Sequence, residues 1–196
     1  FSFEGKGIYQ RRMLSWQSGV DANHLRRGFV VGEGTVGQEW YQALRAARKT
    51  VAGYPVALCE DVTGQAGIEA RIRVAADKWP IVLVVIDYWQ AMRRRAGRRE
   101  IEEYERAAYA FRDLFDEIGC PGMVLSQVSF NQGTGEWQTK ASQALQEAAY
   151  MALRLVRDKD GGGYSIICDK TRLTPHFEPL AVVCDWGTSR ITGKRP

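Results

Sequence analysis

The sequence predicts an α/β domain with a mostly parallel sheet flanked by helices, and three observations carry that prediction. Ile81-Val82-Leu83-Val84-Val85-Ile86 is an unbroken apolar run ending in Asp87. It is too short for a membrane span and has the composition of a strand buried on both faces. Strand-like runs alternate with helical patterns through most of the 196 residues, the order that parallel sheets with crossover helices require. The last third holds strand-like segments joined by short links, which predicts an antiparallel hairpin edge.

Taken in order, Phe1-Ser2-Phe3 has the composition of a strand end, with Glu4 just beyond it. A helix is expected over residues 6–17, carrying Ile8, Leu14 and Trp16. Residues 28–37 are glycine-rich and irregular; residues 38–51 are helical in composition, and Tyr54-Pro55 leads into a strand at 56–59. Residues 66–79 form a helix with Ile68, Ile72 and Ala75 on one face, and the strand ending in Asp87 follows. The clearest helix runs over 99–118. Its Ile101, Tyr104, Ala108, Phe111, Phe115 and Ile118 alternate spacings of three and four, making one apolar stripe. Gly119 suits its C-cap and Pro121 its stop. The strand Met123-Val124-Leu125 leads to Ser126-Gln127, with a loop at 131–135. A helix with Ala144, Leu145 and Ala148 then runs into Met151-Ala152-Leu153. Strands are expected at 164–168, at 180–184 and near Arg190-Ile191, with a turn over 158–163.

A chain of this length forms one ordinary domain with a core of its own, so residues 1–196 are expected to be a single domain. Its 45% hydrophobic and 26% charged content are those of a soluble globular protein. No apolar run approaches a membrane span, and the first residues lack the basic-then-apolar pattern of a signal peptide. Cys59, Cys120, Cys168 and Cys184 are widely spaced, and His24 and His176 are the only histidines. Zinc ligation is therefore disfavoured. Cys59, Cys168 and Cys184 lie in apolar runs and read as reduced core thiols, which implies a reducing, cytoplasmic setting.

The net charge of +4 is locally concentrated. Arg93, Arg94, Arg95, Arg98 and Arg99 fall within seven residues just past Asp87. Such crowding is relieved by a polyanion, so these arginines are candidate nucleic-acid contacts. The alternative is a solvated loop answered by Glu100, Glu102, Glu103 and Glu105.

Asp87 stands where α/β sheets bind ligands, at the carboxyl end of a core strand. A carboxylate there needs a metal ion or hydrogen-bond donors, although many strand-end Asp residues only cap the next turn. A competing signature is Gly32-Glu33-Gly34-Thr35-Val36-Gly37, formally G-x-G-x-x-G, with Glu60-Asp61 at the end of the next strand. Gly32, Gly34 and Gly37 could serve a dinucleotide-binding oxidoreductase. Against this, the preceding apolar run is only Phe29-Val30-Val31, Glu33 would lie beside a pyrophosphate, and Gln38-Glu39 replace the Lys and Ser/Thr of a phosphate-binding loop.

Further stretches carry a resemblance. Phe1-Ser2-Phe3-Glu4 resembles F-S-L-E, Ile86-Asp87-Tyr88-Trp89-Gln90 resembles I-D-Y-L-Q, and Val124-Leu125-Ser126-Gln127 resembles A-L-S-Q. Cys168-Asp169-Lys170-Thr171-Arg172 resembles an A-K-Q-R hairpin. Arg12-Met13-Leu14 and the stretch from Asp21 through Asn23, His24 and Arg26 to Gly28 complete the order. Together these are similar to the carboxy-terminal RecA-type motor domain of DnaB-like replicative helicases, over nearly the whole chain.

The resemblance implies a RecA-like P-loop NTPase core using ATP and Mg²⁺. Asp87 is implied to hold the metal through its water shell, Glu4 to be the general base and Gln127 to contact phosphate. Lys170 and Arg172 are implied to reach a neighbouring subunit's nucleotide. The parent is implied to be a ring homo-oligomer, a hexamer, moving on single-stranded DNA, with a primase or helicase loader as further partners. In the DNA-contact segment, Lys140-Ala141-Ser142-Gln143 stands in place of R-E-S-G, leaving Lys140, Ser142 and Gln143 as candidate contacts. Leu173-Thr174-Pro175 replaces N-G-P after the hairpin Arg. The family's first strand and phosphate-binding loop would precede Phe1, so these residues alone are expected to hydrolyse ATP poorly or not at all. A non-catalytic assembly or DNA-binding subunit of the same fold is the alternative, and the oxidoreductase stands third.

Overall fold

The computed structural model describes residues 5–27, 35–60, 64–92, 100–131, 136–139, 143–157 and 163–193. The chain forms two compact units, one of Leu58–Ala152 and one of Gly5–Ala57 with Leu153–Pro196. No helix among the described residues is long and apolar enough to cross a membrane.

In the second of these units, α1 (Lys6–Ser18), α2 (Ala22–Arg27) and α3 (Thr35–Ala52) precede a four-stranded sheet. Helix α1 ends at Gly19, whose φ of 74° only glycine adopts without strain, and whose N–H closes on the Ser15 carbonyl at 2.9 Å. The sheet order is β5-β6-β7-β8. Its strands are β5 (Met151–Arg157), β6 (Tyr164–Thr171), β7 (Leu180–Asp185) and β8 (Arg190–Gly193). Strands β6, β7 and β8 run antiparallel in turn, so the expected antiparallel pairing of the last strands is present, in a sheet of its own. The β7–β8 turn is tied to the end of α1. The buried Ser15 hydroxyl lies 2.6 Å from the Val20 carbonyl and 3.0 Å from that of Gly187, while Arg190 donates to the Trp16 carbonyl.

The other unit centres on α5 (Glu100–Ile118), with α4 (Gln65–Ala76) and α6 (Gln143–Ala148) beside it. Strands β1 (Val84–Ile86) and β2 (Gly122–Val124) pair in parallel, Ile86 opposite Val124. Helix α5 is the crossover between them, the βαβ arrangement that the alternation predicted. Ile68, Ile72, Val84, Ile86, Trp89, Tyr104, Ala107, Phe111 and Leu114 form its core. Burial falls slightly off the predicted stripe: Ala107 and Leu114 are buried, whereas Phe115 and Ile118 are only half-buried. The helix closes as expected, with Gly119 at φ 63° and Cys120 N–H donating to the Phe115 carbonyl at 3.1 Å.

Several expectations need correction. The 81–86 run is not buried on both faces. Only Val84–Ile86 pair as a strand, Val84 and Ile86 point into the core, and Val82 and Leu83 are 82% and 46% exposed. Residues 56–59 form no strand. On either side of the loop expected at 131–135, β3 (Val128–Asn131) and β4 (Glu136–Thr139) pair antiparallel, a pairing that the sequence alone does not predict, and Asn131 belongs to β3. The expected strand at 1–3 and most of the turn at 158–163 lie outside the described residues. The four cysteines are free thiols, Cys120 and Cys168 buried and Cys59 and Cys184 half-buried.

Candidate functional site at the β1 and β2 strand ends

Parallel pairing puts the carboxyl ends of β1 and β2 side by side, so Asp87 and the Ser126-Gln127 segment leave the sheet as neighbours. The ladder continues past the strands: Leu125 N–H donates to the Ile86 carbonyl at 2.9 Å, and Trp89 N–H donates to the Leu125 carbonyl at 2.8 Å. Asp87 is half-buried and Gln127 exposed. The peptide bond from Asp87 to Tyr88 is cis.

The anchor of this region is Trp89, fully buried against Tyr104 and Phe111, with ring centroids 5.5 and 6.1 Å away. It opens a single 3-10 turn, Trp89–Ala91. That turn delivers Gln90, whose carboxamide spans the two strand ends. Its Nε2 donates to Ser126 Oγ and to the Gln127 carbonyl, each at 2.9 Å, and its Oε1 accepts the Gln127 N–H at 3.1 Å. The Gln90 carbonyl in turn lies 3.3 Å from the Tyr104 hydroxyl, which donates to it. Sequence reasoning quoted Gln90 only as the last letter of a motif. A Gln just past a strand-end Asp, with a polar Ser-Gln pair past the next parallel strand, is the signal that was available.

Of the three catalytic candidates, Asp87 and Gln127 therefore share one end of one sheet, and Glu4 lies outside the described residues. Among the described residues, no group of three His, Cys, Asp or Glu side chains could hold a metal ion. A single strand-end carboxylate suits Mg²⁺, which keeps much of its water shell and takes one or two carboxylates plus substrate phosphates. It would not suit zinc.

Lys170 and Arg172 belong to the unit of the four-stranded sheet. Lys170 is half-buried on β6 and Arg172 is exposed just past its end. Thr174 N–H donates to Thr171 Oγ1 at 3.2 Å, so the chain turns immediately after Arg172. One residue before Lys170, Asp169 receives Arg154 of β5 through two bonds of 2.8 and 2.7 Å. That pair raises the Arg154 pKa further and keeps the guanidinium charged.

Gln143 is exposed at the start of α6, which Ala144 and Ala148 anchor in the core. The other DNA-contact candidates, Lys140, Ser142, Arg93, Arg94 and Arg95, lie outside the described residues, as do Gly32 and Gly34. Gly37 sits in the first turn of α3.

A parallel βαβ element with helices, a separate antiparallel sheet and polar residues at the strand ends define an α/β protein of the RecA-like class. The chain belongs to the DnaB-like helicase C terminal domain family, whose model matches residues 1–147. Its fold is similar to that of a solved ATPase domain, at TM-score 0.81 and 17% identity, covering 99% of this chain and 73% of that one. A DnaB-like replicative helicase studied for its interactions with primase gives TM-score 0.83 at 17% identity. That match covers 98% of this chain, which spans about half, 49%, of that protein. The RadB recombinase is a more distant likeness, with TM-score 0.55 and 18% identity over 99% of this chain and 77% of that one. No curated protein sequence matches significantly.

Proposed function

We propose that residues 1–196 are a single motor domain of a DnaB-like replicative helicase, which hydrolyses ATP to move along single-stranded DNA. The observation that supports this reading is that Asp87 and Gln127 follow the ends of two paired parallel strands, in a chain of this family. Phosphoryl transfer to water needs positioning and charge stabilisation more than covalent chemistry. Mg²⁺, when bound, would offset phosphate charge.

Within this reading, Asp87 would hold Mg²⁺ through the ion's water shell. Glu4 aligns the attacking water and accepts its proton. Gln127 offers a carboxamide to a phosphate oxygen or to that water. Lys170 and Arg172 act on a neighbouring subunit's nucleotide, which requires a ring, a hexamer in this proposal. Exposure of Arg172 at the end of a strand supports a role outside its own subunit. Lys140, Ser142 and Gln143, with Arg93, Arg94 and Arg95, contact the DNA backbone, so binding is electrostatic and weakens steeply with salt. A primase or a loader is a further partner, and the cytoplasm the setting.

DNA-stimulated ATPase activity of the full natural chain is the test. Glu4→Gln and Asp87→Asn should abolish turnover. Arg172→Ala should also inactivate, and mixing it with an Asp87→Asn subunit should restore part of the activity if Arg172 works across subunits. Wild-type rates in all three single variants would reject these roles, whereas no DNA-stimulated hydrolysis by the wild-type chain would make the non-catalytic subunit the better account.

A further inference from the structure

The Gln90 carboxamide uses both of its ends on the residue that follows Ser126. A primary carboxamide carries an acceptor oxygen and a two-donor nitrogen. Here the oxygen takes the Gln127 N–H at 3.1 Å while the nitrogen reaches the Gln127 carbonyl and Ser126 Oγ at 2.9 Å. Holding the N–H and the C=O of one residue fixes that residue's backbone in both position and rotation, and so aims its side chain.

The holder is itself fixed. Trp89, immediately before it, is fully buried, and its N–H is bonded to the Leu125 carbonyl at 2.8 Å. The Gln90 carbonyl accepts from Tyr104 of α5. Gln127 is exposed and lies beyond β2. It sits between the end of β2 and Val128, where β3 begins, and the Gln90 carboxamide ties it to the end of β1.

We infer that Gln90 is a positioning residue, which sets the Gln127 side chain against Asp87 and so governs turnover rather than nucleotide affinity. The inference rests on the functional reading of Asp87 and Gln127 above. Other side chains cannot reproduce the contact. Asn is one methylene short. Glu keeps the acceptor for Gln127 N–H but turns a carboxylate toward the Gln127 carbonyl.

The test uses the full natural chain in DNA-stimulated ATP hydrolysis, with Gln90→Ala, Gln90→Glu, Gln127→Ala and the Gln90→Ala/Gln127→Ala double variant. Misplacement of a catalytic group by an ångström costs on the order of 100-fold in rate. Gln90→Ala should therefore lower kcat by about 10- to 100-fold and leave KM for ATP little changed. The double variant should be no slower than Gln127→Ala alone, because Gln90 acts through Gln127. Amide exchange at Gln127, read by NMR or mass spectrometry, should accelerate in both Gln90 variants, a readout that needs no activity. If Gln90→Ala fails to fold, the near-isosteric Gln90→Glu decides by the same measurements.

Multiplying effects in the double variant, unchanged kcat in Gln90→Ala beside a slowed Gln127→Ala, or unchanged exchange at Gln127 would each overturn the inference. Wild-type rates in both Gln127→Ala and Asp87→Asn would instead overturn the underlying functional reading, and the positioning role with it.

Discussion

Arg154 on β5 and Asp169 on β6 meet through two parallel hydrogen bonds, Nε to Oδ2 at 2.8 Å and Nη2 to Oδ1 at 2.7 Å. The side chains keep only 21% and 24% of their exposure, so solvent screens this pair less than an ordinary surface contact. A fork of this kind fixes strand register as well as contributing energy. It does so one residue before Lys170. Asp169→Ala should lower stability by about 1–2 kcal/mol, measured as a shift in the urea midpoint. Arg154→Ala should match it, and the double variant should lose no more than the worse single. Additive losses would mean that the pair contributes nothing as a pair.

Gly122 leaves no room for a side chain. A Cβ placed there would fall inside the Phe115 ring, where α5 packs against the start of β2. Gly122→Ala should destabilise by about 1–3 kcal/mol through overpacking. Adding Phe115→Leu should recover part of the loss in thermal unfolding. If the double variant is simply the sum of the singles, the clash is not the cause.

Asp185 gives a prediction in pH. Its carboxylate is held below the usual range chiefly by the Thr188 hydroxyl, then by the Thr188 and Gly187 backbone N–H groups, with Arg190 nearby. A folded pKa below the unfolded one stabilises the fold above the unfolded value, about pH 4. That contribution disappears as pH falls through the lowered folded value. The Tm gap between wild type and Asp185→Ala should thus be constant near neutrality and shrink in acid. A gap that widens in acid would reverse the assignment.

Trp89 is fully buried, yet no partner for its indole N–H is found among the described residues. Trp89→Phe removes that donor and keeps an aromatic ring between Tyr104 and Phe111, whereas Trp89→Ala opens a large cavity. The alanine variant should lose about 3–5 kcal/mol and the phenylalanine variant distinctly less. Equal losses would imply that the N–H has a partner after all.

How far the sequence could be read depended on how local the cause was. Helix α5 was legible because its stripe and its Gly119 stop are written in consecutive turns, and Asp87 because an apolar run ends on it. The β3–β4 hairpin was missed because Val128-Ser129-Phe130-Asn131 and Glu136-Trp137-Gln138-Thr139 are too short and mixed to show a period. Residues 56–59 have strand composition but find no pairing partner among the described residues, since propensity alone does not pair a strand. Val82 and Leu83 show the opposite limit: an apolar run states which residues could be buried, and only the position of β2 decides which ones are. The Gln90 clamp joins residues far apart along the chain, and no spacing rule reveals it. That Asp87 and Gln127 follow neighbouring strands was legible from the family order, and the parallel β1–β2 register places their segments side by side.

The β1–α5–β2 crossover also sets an order for making the molecule. Val84–Ile86 leave the ribosome well before Gly122–Val124, so their pairing with β2 waits until the whole of α5 is synthesised. Helix α5 can form locally during that delay and offer Phe111 and Leu114 as a temporary cover. Slowing translation within α5 should therefore be tolerated, whereas a break in its apolar face would leave the nascent strand open to aggregation.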